Sequence, residues 1–250
     1  MKKIAHRIYE SMLSYETRLW LLKQRKRGHF ERKRNVVNPS DKGDFSLKPF
    51  DEHHCIFVHI TKTAGTAVAK SLFGYLPYHY TAIDYRVIYG KRDFDDYYKF
   101  GFVRNPWDRL FSAWRYLRAG GWNDEDAAWY QEHLAGYETF AEFVRGWVNE
   151  QNIGAHKHFW PQHRFVCDTH HQLMIDDVFY FETLDADFAS ACERLDIDAH
   201  LEPHNTNPGD DYRDVYDEEM RRIVADVYRL DIELFGYRFD GIERRWTRDA

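Results

Sequence analysis

Cysteine is scarce in this chain: Cys55, Cys167 and Cys192 are an odd number at wide spacing. No disulfide framework and no CxxC zinc pattern can be built from them, and a reducing, cytosolic setting is the expectation. Long apolar runs are missing too, since none approaches the roughly eighteen residues needed to cross a bilayer. The N-terminus lacks the apolar core and small-residue cleavage site of a signal peptide. The Asn38-Pro39-Ser40 triplet is excluded as a glycosylation acceptor by its proline. No internal repeat or low-complexity tract is present. Positive charge is not in excess either, and a net charge of −6 argues against a general nucleic-acid binder.

What is there is enough apolar and aromatic residue for a packed core, at 44% and 17%. Charge is unevenly spread: residues 1–34 hold eleven Lys/Arg against three Asp/Glu, and the remainder holds 24 against 38. In the first block Ile4, Ile8, Met12, Leu19 and Leu22 recur among basic residues, which predicts a basic amphipathic helix. Such a helix either lies against the domain with a solvated tail or makes peripheral contact with anionic lipid. Residues 35–50 are rich in Pro, Asp, Ser and Gly and read as a linker, so residues 1–50 form an extension and 51–250 the domain.

Strand and helix patterns then alternate. Cys55–Ile60 reads as a buried strand, Thr66–Phe73 as a helix, and Tyr97–Val103 as a second strand. Pro106 stands at a first-turn position before a helix over Trp107–Leu117. Further helices are expected over 138–149 and 184–195, a strand over Asp177–Phe181, and one long helix over Glu218–Leu234. This order predicts an α/β domain with a largely parallel sheet.

The chemistry concentrates in two stretches. In "CIFVHITKTAGTAVAKSL" a strand meets a turn over Lys62-Thr63-Ala64-Gly65-Thr66 and opens a helix. Such a turn directs successive backbone N–H groups and a helix N-terminus into one concavity. Gly65 is expected to let the backbone approach an anion, with Ala64 and Ala67 keeping the mouth open. Lys62 adds a mobile charge, and Thr63 and Thr66 add hydroxyls. The lysine precedes the glycine, however, so the GxxxxGK[ST] order of an ATPase loop is absent. In "FGFVRNPWDRLFSAWRYLR" Arg104 sits at the C-terminal end of a strand, where open α/β sheets bind ligands. Ser112 lies in the following helix, and an arginine fork with a hydroxyl makes a second phosphate site.

Both stretches resemble signature motifs of the PAPS-dependent sulfotransferases, in particular the carbohydrate sulfotransferases of the family 2 type. The first is similar to the 5′-phosphosulfate loop PKTxGTS and the second to the 3′-phosphate motif VRNPWDRLxSxY. The likeness continues through "FWPQHRFV", "VFYFETLDADF", "PHNTNPGDDYRDVYDEE" and "DIELFGYRFD", about residues 54–240 in family order. It implies a P-loop kinase-like parallel sheet flanked by helices, and in-line sulfuryl transfer from PAPS to a carbohydrate hydroxyl with release of PAP. Lys62 would neutralise charge on the leaving oxygen, Thr63, Gly65 and Thr66 would hold the 5′-phosphate, and Arg104 and Ser112 would grip the 3′-phosphate. No metal is expected. The family's proline before the lysine is Thr61 here, which loosens the loop, and its serine after GT is Ala67, which removes a hydroxyl. Many relatives carry a membrane anchor; the starting Met and basic helix favour a cytosolic enzyme instead.

Transfer to an alcohol needs a base, and between the two motifs His79 supplies the imidazole. Asp84 and Glu182 are weaker candidates, Glu182 reading better as a capping or salt-bridging carboxylate. His156, Lys157, His158, His163 and Arg164 form either a basic acceptor-side surface or solvated loop positions, and of these His158, His163 and Arg164 are the substrate-binding candidates. Asn205 and Arg213 are candidate PAPS contacts in a polar loop over 204–213. Two other function classes stay open: an ATP- and Mg²⁺-dependent P-loop phosphotransferase, and a non-catalytic relative that binds PAP or glycan.

Overall fold

The structure is a computed structural model that describes residues 17, 27–201, 211–243 and 245–247. The amphipathic pattern of residues 1–26, Thr17 apart, and the candidate Asn205 lie outside the described residues. Among the described residues no helix is long and apolar enough to cross a membrane.

In chain order the main elements are helix α1 (Arg27–Asn35), strand β1 (Cys55–Val58), helices α2 (Gly65–Phe73) and α3 (Ala82–Asp96), and strand β2 (Tyr98–Val103). Helices α4 (Pro106–Arg118), α5 (Asp124–His133) and α6 (Phe140–Gly146) follow, then strand β3 (Asp177–Tyr180) and helix α7 (Leu184–Leu195). Helices α8 (Glu218–Val227) and α9 (Arg229–Phe235) lead to a short C-terminal hairpin over 237–242.

The three strands form one parallel sheet with β2 in the middle, Phe57 beside Phe100 and Val103 beside Tyr180. Every residue of β1 is buried, as is β2 after Tyr98, the pattern of strands covered on both faces, with the buried Lys99 ammonium paired to Asp176 (2.9 Å). Helices flank this sheet, so the expected α/β architecture is the observed one. A second core layer is helical and aromatic: Trp107, Phe111 and Trp114 of α4 pack with Phe140, Phe143, Trp147 and Phe159 and with Met220 and Val224 of α8.

Three local expectations are corrected, and one helix is added. Strand β1 stops at Val58 rather than Ile60, because the Ile60 N–H turns back to the Val58 carbonyl (3.1 Å) and the chain leaves the sheet there. The last helix is two helices that meet at Tyr228 (φ −107°, ψ 21°), whose buried hydroxyl donates to the Phe159 carbonyl (2.7 Å). The supposed linker carries Leu47 and Phe50 in the main core, and its Lys48–Glu52 turn is helical. Turn residues over 38–44 are a local signal that says nothing about the apolar residues after them. Helix α3 was not anticipated; a Thr81–Asp84 capping box starts it, and it bends at Gly90 (φ 79°). Helix α1 is fastened to this body by Phe30, which is buried, and by Arg34, which reaches both Asp51 and Asp93.

Candidate active site

The C-terminal ends of all three strands open into one cleft of about 1390 Å³. Strand β1 delivers His59 and the 61–67 turn, β2 delivers Arg104, and β3 delivers Phe181. Helix α4 then adds Asp108, Phe111, Ser112, Arg115 and Tyr116, spaced along one face. From elsewhere come His79, Asp126, His156, Lys157, His158 and Trp160. Lys62, Arg104, Ser112 and His79, some 50 residues apart at the extremes, therefore share one wall-to-wall space.

The 61–67 turn is locked by its own side chains. Thr63 is buried and its hydroxyl donates to the Ile60 carbonyl (3.0 Å), so it closes the turn instead of lining the cleft. The Thr61 hydroxyl donates to the Lys157 carbonyl (3.2 Å) and receives Arg109, a tether that the family's proline could not provide. Lys62 (φ 67°) and Ala64 (φ 61°) both adopt left-handed backbone, a conformation that costs about 1–3 kcal/mol at a residue with a side chain. Ala64 is the N-cap of α2 and offers no capping side chain, and the Val68 N–H reaches the Ala64 carbonyl (3.1 Å). The N–H groups of Gly65, Thr66 and Ala67 thus have no partner within the helix, and all three residues line the cleft.

Gly65 is needed for a reason the sequence did not reveal. Its φ is not left-handed, but a Cβ there would stand 2.0 Å from Cδ2 of His59. His59 fills that space: it is buried, stacks on Phe57 and lies 4.2 Å, centroid to centroid, from His79. Burial holds its pKa well below the usual histidine value.

His79 points Nδ1 at the His59 carbonyl oxygen (2.9 Å). A carbonyl only accepts, so Nδ1 carries the proton and Nε2 is left with its lone pair. Burial lowers the His79 pKa, partly offset by that hydrogen bond. The Lys62 ammonium lies 4.0 Å over the Tyr116 ring. Burial, with the Arg104 charge nearby, brings its pKa down to about 8.

Arg104 is gripped on every side. Its Nε and Nη2 donate to both oxygens of Asp108 (2.7 and 2.8 Å), Nη1 donates to the Lys62 carbonyl (3.2 Å), and the guanidinium lies 4.0 Å over Phe181. Its backbone is bracketed by Gln162, which accepts from the Arg104 N–H and donates to the Arg104 carbonyl, both at 2.8 Å. Gln162 is itself held by buried Asp231 (2.6 Å). Arg109, fully buried, donates to the carbonyls of Thr61 (3.3 Å), His158 (3.1 Å) and Trp160. One side chain thereby ties the 61–67 turn to the 156–160 loop.

The remaining candidates separate. His158 lines the cleft with its ring on Tyr116 (4.8 Å), whereas His163 and Arg164 do not. His163 turns its Nδ1 to Asp231 (2.7 Å) and Arg164 lies 4.2 Å over the Trp160 indole, so both are taken up in packing behind the wall. Arg213 is exposed and paired with Asp211; its neighbours Asp211 and Tyr212 reach the cleft. Burial pushes the pKa values of His156 and His158 down, and Lys157 from the same stretch lines the cleft beside them. Asp84 caps α3, accepting from the Thr81 N–H (2.9 Å). Glu182 accepts from the Asn105 N–H (2.6 Å) and the Tyr237 hydroxyl (3.0 Å), the structural role the sequence favoured. Among the described residues no three His, Cys, Asp or Glu side chains are grouped as for a metal ion.

His59, Asp108, Arg109, Tyr116, Asp126 and Gln162 escaped the sequence reading. Asp108 was findable, since it stands four residues after Arg104. Arg109 and Gln162 were not, because their partners lie 48 or more residues away.

Comparison with protein-family models matches residues 85–238 to a family described as the sulfotransferase family. The matched span includes Arg104, Ser112 and Gln162 and begins after Lys62 and His79. Neither curated proteins nor solved structures yield a match. With well over half of the chain matched, and a parallel sheet whose strand ends open into one cleft, this chain belongs to the sulfotransferase family.

Proposed function

We propose that this sulfotransferase takes its sulfuryl group from PAPS and passes it to a carbohydrate hydroxyl, with His79 as general base. The observation that carries the reading is the convergence of Lys62, Arg104, Ser112 and His79 on one cleft, with the His79 Nδ1 bonded to a carbonyl so that Nε2 keeps its lone pair.

The residues present fit a doubly anionic donor. Three uncapped N–H groups at the start of α2 and the Lys62 ammonium favour negative charge at one place. Arg104 and Ser112 offer a second anion contact in the same space. PAPS, when bound, supplies a sulfuryl group already joined to a phosphate leaving group. Lys62 then opposes the charge that grows on the departing oxygen. His79 receives the acceptor's hydroxyl proton at Nε2, and its lowered pKa keeps that nitrogen free of a proton at neutral pH. The uncharged imidazoles of His156 and His158, with the indoles of Trp122 and Trp160, suit a hydroxyl-rich ring better than a bare ion.

Incubation with ³⁵S-labelled PAPS and a glycan panel tests the reading. Transfer of label to a sugar with release of PAP is expected. Binding of ATP–Mg²⁺ far more tightly than PAP, or PAP binding without transfer to any acceptor, would overturn it.

A further inference from the structure

The Arg104 guanidinium is an ion pair before any ligand arrives. Asp108 takes two of its N–H groups and offsets part of its charge, and the Lys62 carbonyl takes a third. A phosphate meeting only that pair and the Ser112 hydroxyl would find donors but little net positive charge. Helix α4 continues past Ser112, and Arg115 stands three residues on, about 5–6 Å away at Cβ. Asp108, Ser112 and Arg115 are spaced by four and three residues, which is one stripe along the helix, and all three line the same cleft. The stripe puts Ser112 between the Arg104–Asp108 pair at one end and Arg115 at the other. Arg115 is half-buried, lies 5.4 Å over the Phe111 ring, and is in no ion pair with a carboxylate among the described residues.

We infer that Arg115 is the charged contact of the 3′-phosphate and gives the cleft its preference for a 3′-phosphorylated adenosine nucleotide. This rests on the PAPS reading above. Arg104 and Ser112 then fix the position of the phosphate, and Arg115 adds positive charge where Asp108 offsets that of Arg104. Arg118, three residues beyond it on the same helix, lies 4.9 Å over Trp114 and does not line the main cleft, which makes it a charge-matched control.

Calorimetric titration of PAP and of adenosine 5′-monophosphate into the wild type, Arg115→Ala, Arg115→Lys and Arg118→Ala tests this. The wild type should prefer PAP by about tenfold or more. Arg115→Ala should lose most of that preference through weaker PAP binding, with the monophosphate affinity kept within about twofold. Arg115→Lys should keep part of the preference, and Arg118→Ala all of it. Arg115→Gln, which retains the stem over Phe111, replaces the alanine variant if that one melts early. An unchanged preference in Arg115→Ala, an equal loss for both nucleotides, or the same loss in Arg118→Ala overturns the inference. A wild type that binds PAP no better than the monophosphate overturns the PAPS reading itself.

Discussion

Lys62 shows how far one residue's chemistry departs from its ordinary value. Burial beside Arg104 brings its pKa to about 8, so in the free protein its charge is lost as pH rises through that value. A bound phosphate favours the charged form, and PAP affinity should rise to about pH 7 as the ligand's phosphates ionise and fall by up to about tenfold per unit above pH 8. Calorimetry across pH 6–9.5 reads this, and Lys62→Met should bind weakly with no such slope. At His79 the expectation is a separation of effects. His79→Ala should lower turnover about 10²- to 10⁴-fold while PAP affinity stays within about twofold. Because its pKa is lowered, the wild-type rate should hold its plateau to below pH 6.5 before protonation removes the base. Unchanged turnover in the variant would remove His79 from the role. Lys62, Arg104, Ser112 and His79 were legible because their type and spacing carry the signal. The tautomer of His79 was not, since it depends on a carbonyl twenty residues away.

Between elements, the contact that matters most is the start of α2 against the end of β1. Gly65 gives up its Cβ so that His59 can lie under the turn, and His59 in turn carries His79. Gly65→Ala should therefore destabilise the fold by about 1–3 kcal/mol and weaken PAP binding. His59→Ala opens the same space, so adding Gly65→Ala to it should cost far less than Gly65→Ala alone. Urea unfolding of the two singles and the double measures that coupling, and additive costs would contradict the geometry. The glycine itself was plain in the sequence. Its partner was not, because a helix N-terminus and a strand end meet only through the sheet's packing. The same holds for α8 and α9: apolar periodicity runs through Met220, Ile223, Val224, Val227 and Leu230, while the break at Tyr228 follows its hydroxyl's bond to Phe159.

At the scale of the molecule, Arg109 joins the two halves of the cleft without a carboxylate ion-pair partner among the described residues. Its charge is buried and opposed by carbonyls of Thr61, His158 and Trp160, and burial lowers its pKa. Arg109→Met should leave these acceptors without donors and cost about 3 kcal/mol or more. Urea midpoints give the stability, and PAP titration should show donor affinity falling with it because the 61–67 turn loses its anchor. Full retention of both would mean the loops hold themselves. The apolar runs of β1, β2 and β3 determined by themselves that a buried parallel sheet would form, and the two motifs placed the candidate anion-binding residues at its strand ends. Those are properties of neighbouring residues, so local order carries them. The tertiary structure alone decided that burial pushes the pKa values of His156 and His158 down, that His163 and Arg164 stand behind the wall, and that Asp108 pairs with Arg104. Charge and reach depend on burial and on partners far along the chain, and only folding sets either.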